Sequence, residues 1–142
     1  FDKVFTNYAT IAEESEKGFT AQNQVGRSIK TDKTLMKQLM TILFDNAIKY
    51  TEDDGQVTLT VRTNDRHLYI TVADNGPGIA DEDKKKIFDR FYRVDEARTR
   101  QKGGFGLGLS LAQQIVLALK GTIIVKDNQP KGTIFEVKIT GV

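Results

Sequence analysis

The chain has 142 residues, which suits one domain with a single hydrophobic core. Its 21 basic and 19 acidic residues give a formal net charge of +2, too small to indicate a nucleic-acid-binding protein. The absence of cysteine excludes a disulfide framework and thiolate chemistry, and no apolar run has the length of a membrane span. Because the chain begins inside a helical pattern at Phe1, we expect it to be a fragment of a larger protein, without a signal peptide.

The first 50 residues predict two helices separated by a polar stretch. Apolar residues recur at helical spacing from Phe1 to Ala12, and Lys17-Gly18 is the expected end of that helix. The polar residues 19–31 predict one or two edge strands. Asp32 is the expected N-cap of a second, long helix. The apolar face of that helix would carry Leu35, Leu39, Ile42, Leu43 and Ala47, with Met36, Met40 and Phe44 beside it.

A hairpin follows the second helix. Residues 52–55 predict a turn, and apolar alternation over 57–61 and 68–72 predicts two strands. Residues 63–66 would connect the two strands. The sequence therefore places a two-stranded ribbon directly after the long helix.

A short helix and a charged loop come next. Asp81 is expected to cap a helix that ends near Ile87, and Lys84-Lys85-Lys86 is interpreted as its solvated face rather than a nucleic-acid patch. Residues 93–103 are charged, lack apolar periodicity and end in two glycines. A loop of this length is uncommon in a compact domain, so we expect it to be functional or mobile rather than idle.

The remaining residues predict one helix and two strands. Leu107 to Leu119 are apolar at helical spacing, and Gly121 is the expected end of the helix. Ile123 and Val125 predict a strand, residues 128–132 a turn, and alternation from Thr133 to Ile139 the last strand. The predicted fold is an α/β (α+β) two-layer sandwich, in which three main helices cover one face of a mixed, mainly antiparallel sheet.

The segment Asp74-Asn75-Gly76-Pro77-Gly78 closes the second alternating run. A carboxylate only accepts hydrogen bonds, so Asp74 can bind an exocyclic amino group such as that of adenine. Gly76 and Gly78 have no side chain, which lets a flat base approach the backbone. From these residues alone, an ordinary Asp-Asn-Gly turn remains an open alternative.

A second glycine-rich segment, Gly103-Gly104-Phe105-Gly106-Leu107-Gly108-Leu109, opens the last helix. Free N–H groups and the positive end of a helix favour phosphate there. A dinucleotide fingerprint is excluded because a charged loop, not a strand, precedes the glycines. A P-loop is excluded because Leu109-Ser110 follows Gly108, where Lys and then Ser or Thr are required. A flexible linker into a helix is the open alternative.

Three residues at the end of the long helix and one arginine complete the candidate site. Asn46 and Lys49 lie on one helix face; an amide oxygen suits Mg²⁺, and a lysine suits phosphate. Tyr50 could pack against a base or a ribose, and Arg93 could reach a terminal phosphate. The alternatives are a solvated helix end for the first three and surface charge for Arg93.

In chain order, residues 45–50, 74–78, 88–91, 104–109 and 132–133 resemble the N, G1, F, G2 and G3 boxes of bacterial sensor histidine kinases. The resemblance covers nearly the whole chain, residues 1–142, and implies the catalytic and ATP-binding domain of that family. It implies Mg²⁺ and ATP as ligands, with transfer of the γ-phosphoryl group to a histidine on a separate dimerisation domain. It also implies two-component signalling through a response regulator, from the cytoplasmic domain of a membrane-anchored sensor.

The same resemblance assigns roles to individual residues. Asp74 would bind the adenine amino group, Asn46 would ligate Mg²⁺, and Lys49 and Arg93 would contact phosphates. Residues 93–104 would form the ATP lid. The other nucleotide-binding positions would be Tyr50, Gly76, Gly78, Ile79, Phe91, Gly104, Phe105, Gly106, Leu107, Gly108 and Thr133.

The sequence departs from the family pattern at two positions. Ile42 stands where family members usually carry asparagine and where hydrolysing relatives carry a water-activating glutamate, so we expect slow hydrolysis. Phe105 stands where Thr or Ser is common, so a hydroxyl contact to phosphate would be lost. His67 does not match the family's phosphoacceptor segment, and we expect it on the surface. Because the sequence shows neither the phosphoacceptor segment nor the dimerising helices of the family, we expect a monomer that does not phosphorylate itself. Two alternatives are a nucleotide-binding regulatory module without phosphotransfer and a hydrolysing ATPase of the gyrase type.

Overall fold

Apolar alternation in the three central strands and an apolar stripe on each main helix build a two-layer structure. The computed structural model describes residues 2–51, 54–64, 66–89 and 108–141. Within these ranges the helices are α1 (Asp2–Glu14), α2 (Lys33–Tyr50), α3 (Asp81–Lys84) and α4 (Gly108–Ala118). The strands are β1 (Gly18–Gln24), β2 (Gln56–Thr63), β3 (His67–Asp74), β4 (Gly121–Asp127) and β5 (Thr133–Thr140).

Part of the predicted site falls outside these ranges. The proposed lid over residues 93–104 lies outside the described residues. The same is true of the individual site residues Phe91, Arg93, Gly104, Phe105, Gly106 and Leu107.

The five strands form one sheet in the order β1-β2-β3-β5-β4. β1 runs parallel to β2, and every other neighbouring pair is antiparallel. The prediction of a mixed, mainly antiparallel sheet is therefore confirmed. The polar stretch after α1 supplies one edge strand, β1, which pairs with β2 from Gly18 opposite Gln56 to Gln24 opposite Arg62.

One face of the sheet carries the core. The residues that the alternation predicted to point inward are all buried, and they pack in one cluster with α1, α2 and α4. The inward-facing strand residues are Val57, Leu59, Val61, Leu68, Ile70, Val72, Phe135, Val137 and Ile139. Burying each such side chain contributes about 1.5–3 kcal/mol, so this face is the main source of stability. Three main helices on one face of the sheet are confirmed.

The predicted helix ends are partly confirmed. Asp32 is the N-cap of α2, and its Oδ1 accepts a hydrogen bond from the Leu35 N–H at 3.0 Å. α1 ends earlier than the predicted Lys17-Gly18. The helix stops at Glu14, and Glu16, with a φ of 59°, turns the chain. Asp81 was wrongly predicted as a cap: it is the first residue of α3, and Ala80 occupies the cap position. This helix also ends earlier than predicted, at Lys84 rather than near Ile87 and Phe88.

The end of α4 was also predicted too late. The helix stops at Ala118, and Lys120 turns the chain with a φ of 60°. Gly121 is already the first residue of β4, where an added Cβ would lie 2.5 Å from the Lys138 carbonyl oxygen. The glycine therefore serves close strand pairing rather than helix termination.

The parallel pairing of β1 and β2 determines where α2 ends. β1 leaves the sheet beside Arg62, at the far end of β2, and α2 returns toward the beginning of β2. The C-terminus of α2 is fixed there by Thr51, whose Oγ1 donates to the Ala47 carbonyl at 2.6 Å, and by the Lys17 ammonium, which donates to the Ile48 carbonyl. The last turn of α2 therefore lies at the same end of the sheet as Asp74.

Candidate nucleotide-binding site

Asp74 is a buried carboxylate at the end of β3. The residue is 6% exposed, and its Oδ1 accepts hydrogen bonds from the Gly76 N–H at 2.9 Å and the Thr133 N–H at 3.2 Å. Among the described residues no donor reaches Oδ2. Burial raises the pKa of the Asp74 carboxyl, and the two N–H groups offset only part of that effect. The two N–H groups thus hold the carboxylate in place through Oδ1, and within the described ranges Oδ2 is left to accept a hydrogen bond from a ligand.

Two glycines let the backbone close around this carboxylate. A Cβ on Gly76 would lie 2.8 Å from the Tyr50 carbonyl oxygen, so the turn packs directly on the end of α2. A Cβ on Gly132 would lie 1.9 Å from the Asp74 carbonyl oxygen, and this glycine has a φ of 112°. Any side chain at either position would separate the turn from its neighbours. Gly78 faces Gly132 and completes this glycine-lined junction.

Two asparagines, which the sequence did not single out, hold the turn. The Asn75 Oδ1 accepts from the Gln56 N–H at 2.8 Å and ties the turn to the start of β2. The Asn128 Nδ2 donates to the Asp74 carbonyl at 2.8 Å from the loop between β4 and β5. The sequence identified Asn128 only as part of a turn, because the pairing that brings it to Asp74 is invisible without the strand order.

The last turn of α2 brings the predicted polar residues to this junction. Asn46 and Tyr50 are half-buried, and Lys49 is exposed. All three lie close to the end of α2, where the Tyr50 carbonyl oxygen lies against Gly76. Partial burial raises the pKa of the Asp45 carboxyl, and the charge of Lys49 opposes this rise. Asp45 and Lys49 therefore interact along the helix, as their i,i+4 spacing predicts.

The structure also places three further predicted site residues, together with Ile42, which departs from the family pattern. Thr133 takes part through its backbone N–H, which binds Asp74, and Ile79 is half-buried at the edge of the core. Gly108 begins α4, and a Cβ there would lie 3.6 Å from the Ile42 Cγ2. Ile42 therefore faces the beginning of α4 and presents no polar atom to the site.

The described residues contain no group of three or more His, Cys, Asp or Glu side chains that could form a metal site. Mg²⁺ bound with a polyphosphate usually keeps several waters and needs only one or two protein ligands. Asn46 fits that requirement, because its half-buried amide has no hydrogen-bond partner among the described residues. His67 begins β3, roughly 23 Å from Asp74 at 3.3 Å per residue, and its Nδ1 lies 3.3 Å from the Asn64 Oδ1.

Comparison with known proteins identifies the family of the chain. Residues 31–141 match the family described as histidine kinase-, DNA gyrase B-, and HSP90-like ATPase. The sensor protein CiaH of Streptococcus pneumoniae serotype 4 is 68% identical over 139 residues, which is 98% of this chain and 31% of that protein. The signal transduction histidine-protein kinase ArlS of Staphylococcus aureus is 43% identical over 109 residues, 77% of this chain and 24% of that protein.

Among solved structures, the mycobacterial sensor histidine kinase MprB superposes with a TM-score of 0.80 at 27% identity, covering 99% of this chain and 95% of that one. The chain belongs to the histidine kinase-, DNA gyrase B-, and HSP90-like ATPase family. It spans about a third or less of the length of the two sensor proteins that it matches. In the parts of the chain that the structure covers, no helix combines the length and apolar character needed to cross a membrane.

Proposed function

We propose that the chain binds Mg²⁺ and ATP and donates the γ-phosphoryl group to a histidine on a separate dimerisation domain, within a two-component sensor kinase. The observation that carries this proposal is the Asp74 carboxylate. Two backbone N–H groups hold its Oδ1, while its Oδ2 has no donor within the described ranges. A buried acceptor of this kind suits the 6-amino group of adenine and opposes the 6-carbonyl of guanine.

The remaining residues would act through position and charge. Gly76 and Gly78 leave room for a flat base beside the backbone. Asn46 would ligate Mg²⁺ and Lys49 would contact a phosphate, and both project from the last two turns of α2. When bound, Mg²⁺ would neutralise part of the charge on the phosphates. The predicted phosphate contact of Arg93 and the lid over 93–104 are retained in this proposal as sequence predictions.

Calorimetric titration tests the nucleotide assignment. We expect ATP and ADP to bind, with affinity for ATP that depends on Mg²⁺, and GTP not to bind. Equal affinity for GTP would contradict the role given to Asp74.

Two alternatives differ from this proposal in measurable ways. Ile42 faces the beginning of α4 and can neither accept a proton nor ligate a metal, which argues against a hydrolysing ATPase of the gyrase type. We expect very slow steady-state release of phosphate from ATP, and fast release would favour the ATPase. A regulatory module would bind ATP but transfer no phosphoryl group to a supplied histidine domain.

The proposal extends to partners and location. The histidine-bearing dimerisation domain would be the direct partner, and a response regulator would receive the phosphoryl group from that domain. The chain itself would be a monomer on the cytoplasmic side of a membrane-anchored sensor. Light scattering that shows a tight dimer of the chain would contradict the monomeric state.

A further inference from the structure

We propose that Asn128 is a positioning residue for adenine recognition, because its side chain fixes the peptide group of Asp74. This inference rests on the proposed role of Asp74 as the adenine acceptor. Asn128 lies 54 residues away in sequence, is half-buried, and stands in the loop that joins β4 to β5. It would touch no part of the nucleotide itself.

The orientation of the Asn128 amide is defined from both sides. Its Nδ2 donates to the Asp74 carbonyl at 2.8 Å, and its Oδ1 accepts from the Gln129 N–H at 2.8 Å. Rotating the amide by half a turn would place a donor against an N–H and an acceptor against a carbonyl. The backbone N–H of Asn128 also donates to the Gly132 carbonyl at 3.0 Å, which closes the loop on itself.

The same loop holds both the backbone and the carboxylate of Asp74. Asn128 binds the Asp74 carbonyl, Gly132 packs on the peptide that follows Asp74, and the Thr133 N–H binds the Asp74 Oδ1. The beginning of the loop is anchored in turn by Asp127, whose carboxylate lies 2.7 Å from the Lys84 ammonium of α3. Losing the Asn128 amide would leave the Asp74 carbonyl without this donor, so that among the described residues the peptide would be held by hydrogen bond only through the Asn75 N–H, which donates to the Gln56 carbonyl at 3.3 Å. We expect the peptide to tilt about that remaining bond and the carboxylate to shift with it.

A positioning role and a purely stabilising role for Asn128 predict different effects on nucleotide binding. If Asn128 only stabilised the fold, its loss would not change how the folded protein distinguishes two nucleotides. If it positions the Asp74 carboxylate, its loss would weaken only the hydrogen bond to the 6-amino group. The ratio of affinities for ATP and for purine riboside triphosphate, which carries hydrogen at position 6, reports that bond alone.

The test compares this ratio in the wild type, Asn128→Ala and Asn128→Asp by calorimetry at a temperature where each protein is folded. Asn128→Asp keeps the side-chain volume and the acceptor for the Gln129 N–H, so it serves if the alanine variant does not fold. Asn64→Ala is the matched control, since Asn64 Oδ1 accepts from the Arg66 and His67 N–H groups at the opposite end of β3. In both Asn128 variants we expect about 3- to 10-fold weaker ATP binding, the range for one lost hydrogen bond, with analogue affinity within about twofold.

Each outcome bears on the inference. An unchanged ratio in both Asn128 variants would overturn it, and so would equal losses for ATP and the analogue. The control variant should lower the melting temperature and leave the ratio at the wild-type value. A wild-type ratio near one would instead overturn the role of Asp74 in the proposed function, and this inference with it.

Discussion

Replacing Asp74 by asparagine should weaken ATP binding without weakening the fold. Asparagine has nearly the same shape as aspartate. Its Oδ1 can still accept from the Gly76 and Thr133 N–H groups, which lie 2.9 and 3.2 Å from the Asp74 Oδ1 in the wild type. Its Nδ2 would then occupy the place of Oδ2 and turn a donor toward the 6-amino group of adenine. Loss of a charged hydrogen bond costs about 1.5–3 kcal/mol, which corresponds to about 10- to 150-fold weaker ATP binding.

The same substitution should stabilise the nucleotide-free protein at neutral pH, although it weakens ATP binding. The folded-state pKa of Asp74 is raised because burial penalises its charge, so the folded chain binds this proton more tightly than the unfolded chain does. The stabilisation is full below the unfolded-state pKa and is lost as the pH rises through the folded-state pKa. At neutral pH the wild type therefore bears the cost of a buried charge that the asparagine variant lacks.

Two measurements on the same samples check both halves of this reasoning. Thermal unfolding of Asp74→Asn should give a melting temperature at or above the wild-type value at pH 7, with the difference shrinking toward pH 4. Calorimetry should show the loss of ATP affinity. Glu136→Gln removes the same charge from the opposite face of the sheet and should leave ATP binding unchanged. A variant that binds ATP normally, or that is clearly less stable at pH 7, would refute the reasoning.

Three further outcomes are expected. Gly132→Ala should lower the free energy of unfolding, measured in urea, by about 1–3 kcal/mol or more, because φ is 112° and the added Cβ would overlap the Asp74 carbonyl. The control Gly26→Ala should change the free energy of unfolding little, because the nearest atom to the added Cβ is 3.9 Å away. Asn46→Ala should weaken ATP binding in the presence of Mg²⁺ but not in EDTA, as calorimetry would show. The chain incubated alone with labelled ATP should stay unlabelled, and stable label on His67 would contradict this.

The sequence predicted which face of the central strands is buried and the hairpin of β2 and β3, but it did not predict the full strand order. Alternation in β2, β3 and β5 identifies which residues point inward, because each of these strands has one buried face. Alternation carries no information on strand order, so the insertion of β5 between β3 and β4, and the parallel pairing of β1 with β2, became visible only in the structure.

Helix boundaries were likewise predicted only where a local side-chain signal marks them. Asp32 was predicted as a cap because a side-chain acceptor at that position has a local role. The ends of α1 and α4 were misjudged because Glu16 and Lys120, rather than the nearby glycines, adopt the positive φ that turns the chain. When a residue other than glycine adopts a positive φ, its identity does not indicate in the sequence that the chain turns there.

The candidate site was predictable where its chemistry lies in contiguous residues. Asp74, Gly76 and Asn46 each belong to a short segment with a stated chemical role. Asn75 and Asn128 were missed because their side chains act on the backbone of other strands, at distances that only the sheet register defines. The residues proposed to bind the nucleotide are thus easier to predict than those that hold them in place.

Phosphoryl transfer in trans tests the central claim most directly. The chain would be mixed with labelled ATP, Mg²⁺ and a separately produced dimerisation domain of a closely similar sensor kinase that retains its phosphoacceptor histidine. We expect acid-labile label on that histidine only when both proteins are present, and a strong reduction with Asp74→Asn. Tight binding of ATP with no label on the histidine would contradict the proposed function and identify the chain as a nucleotide-binding module without transfer.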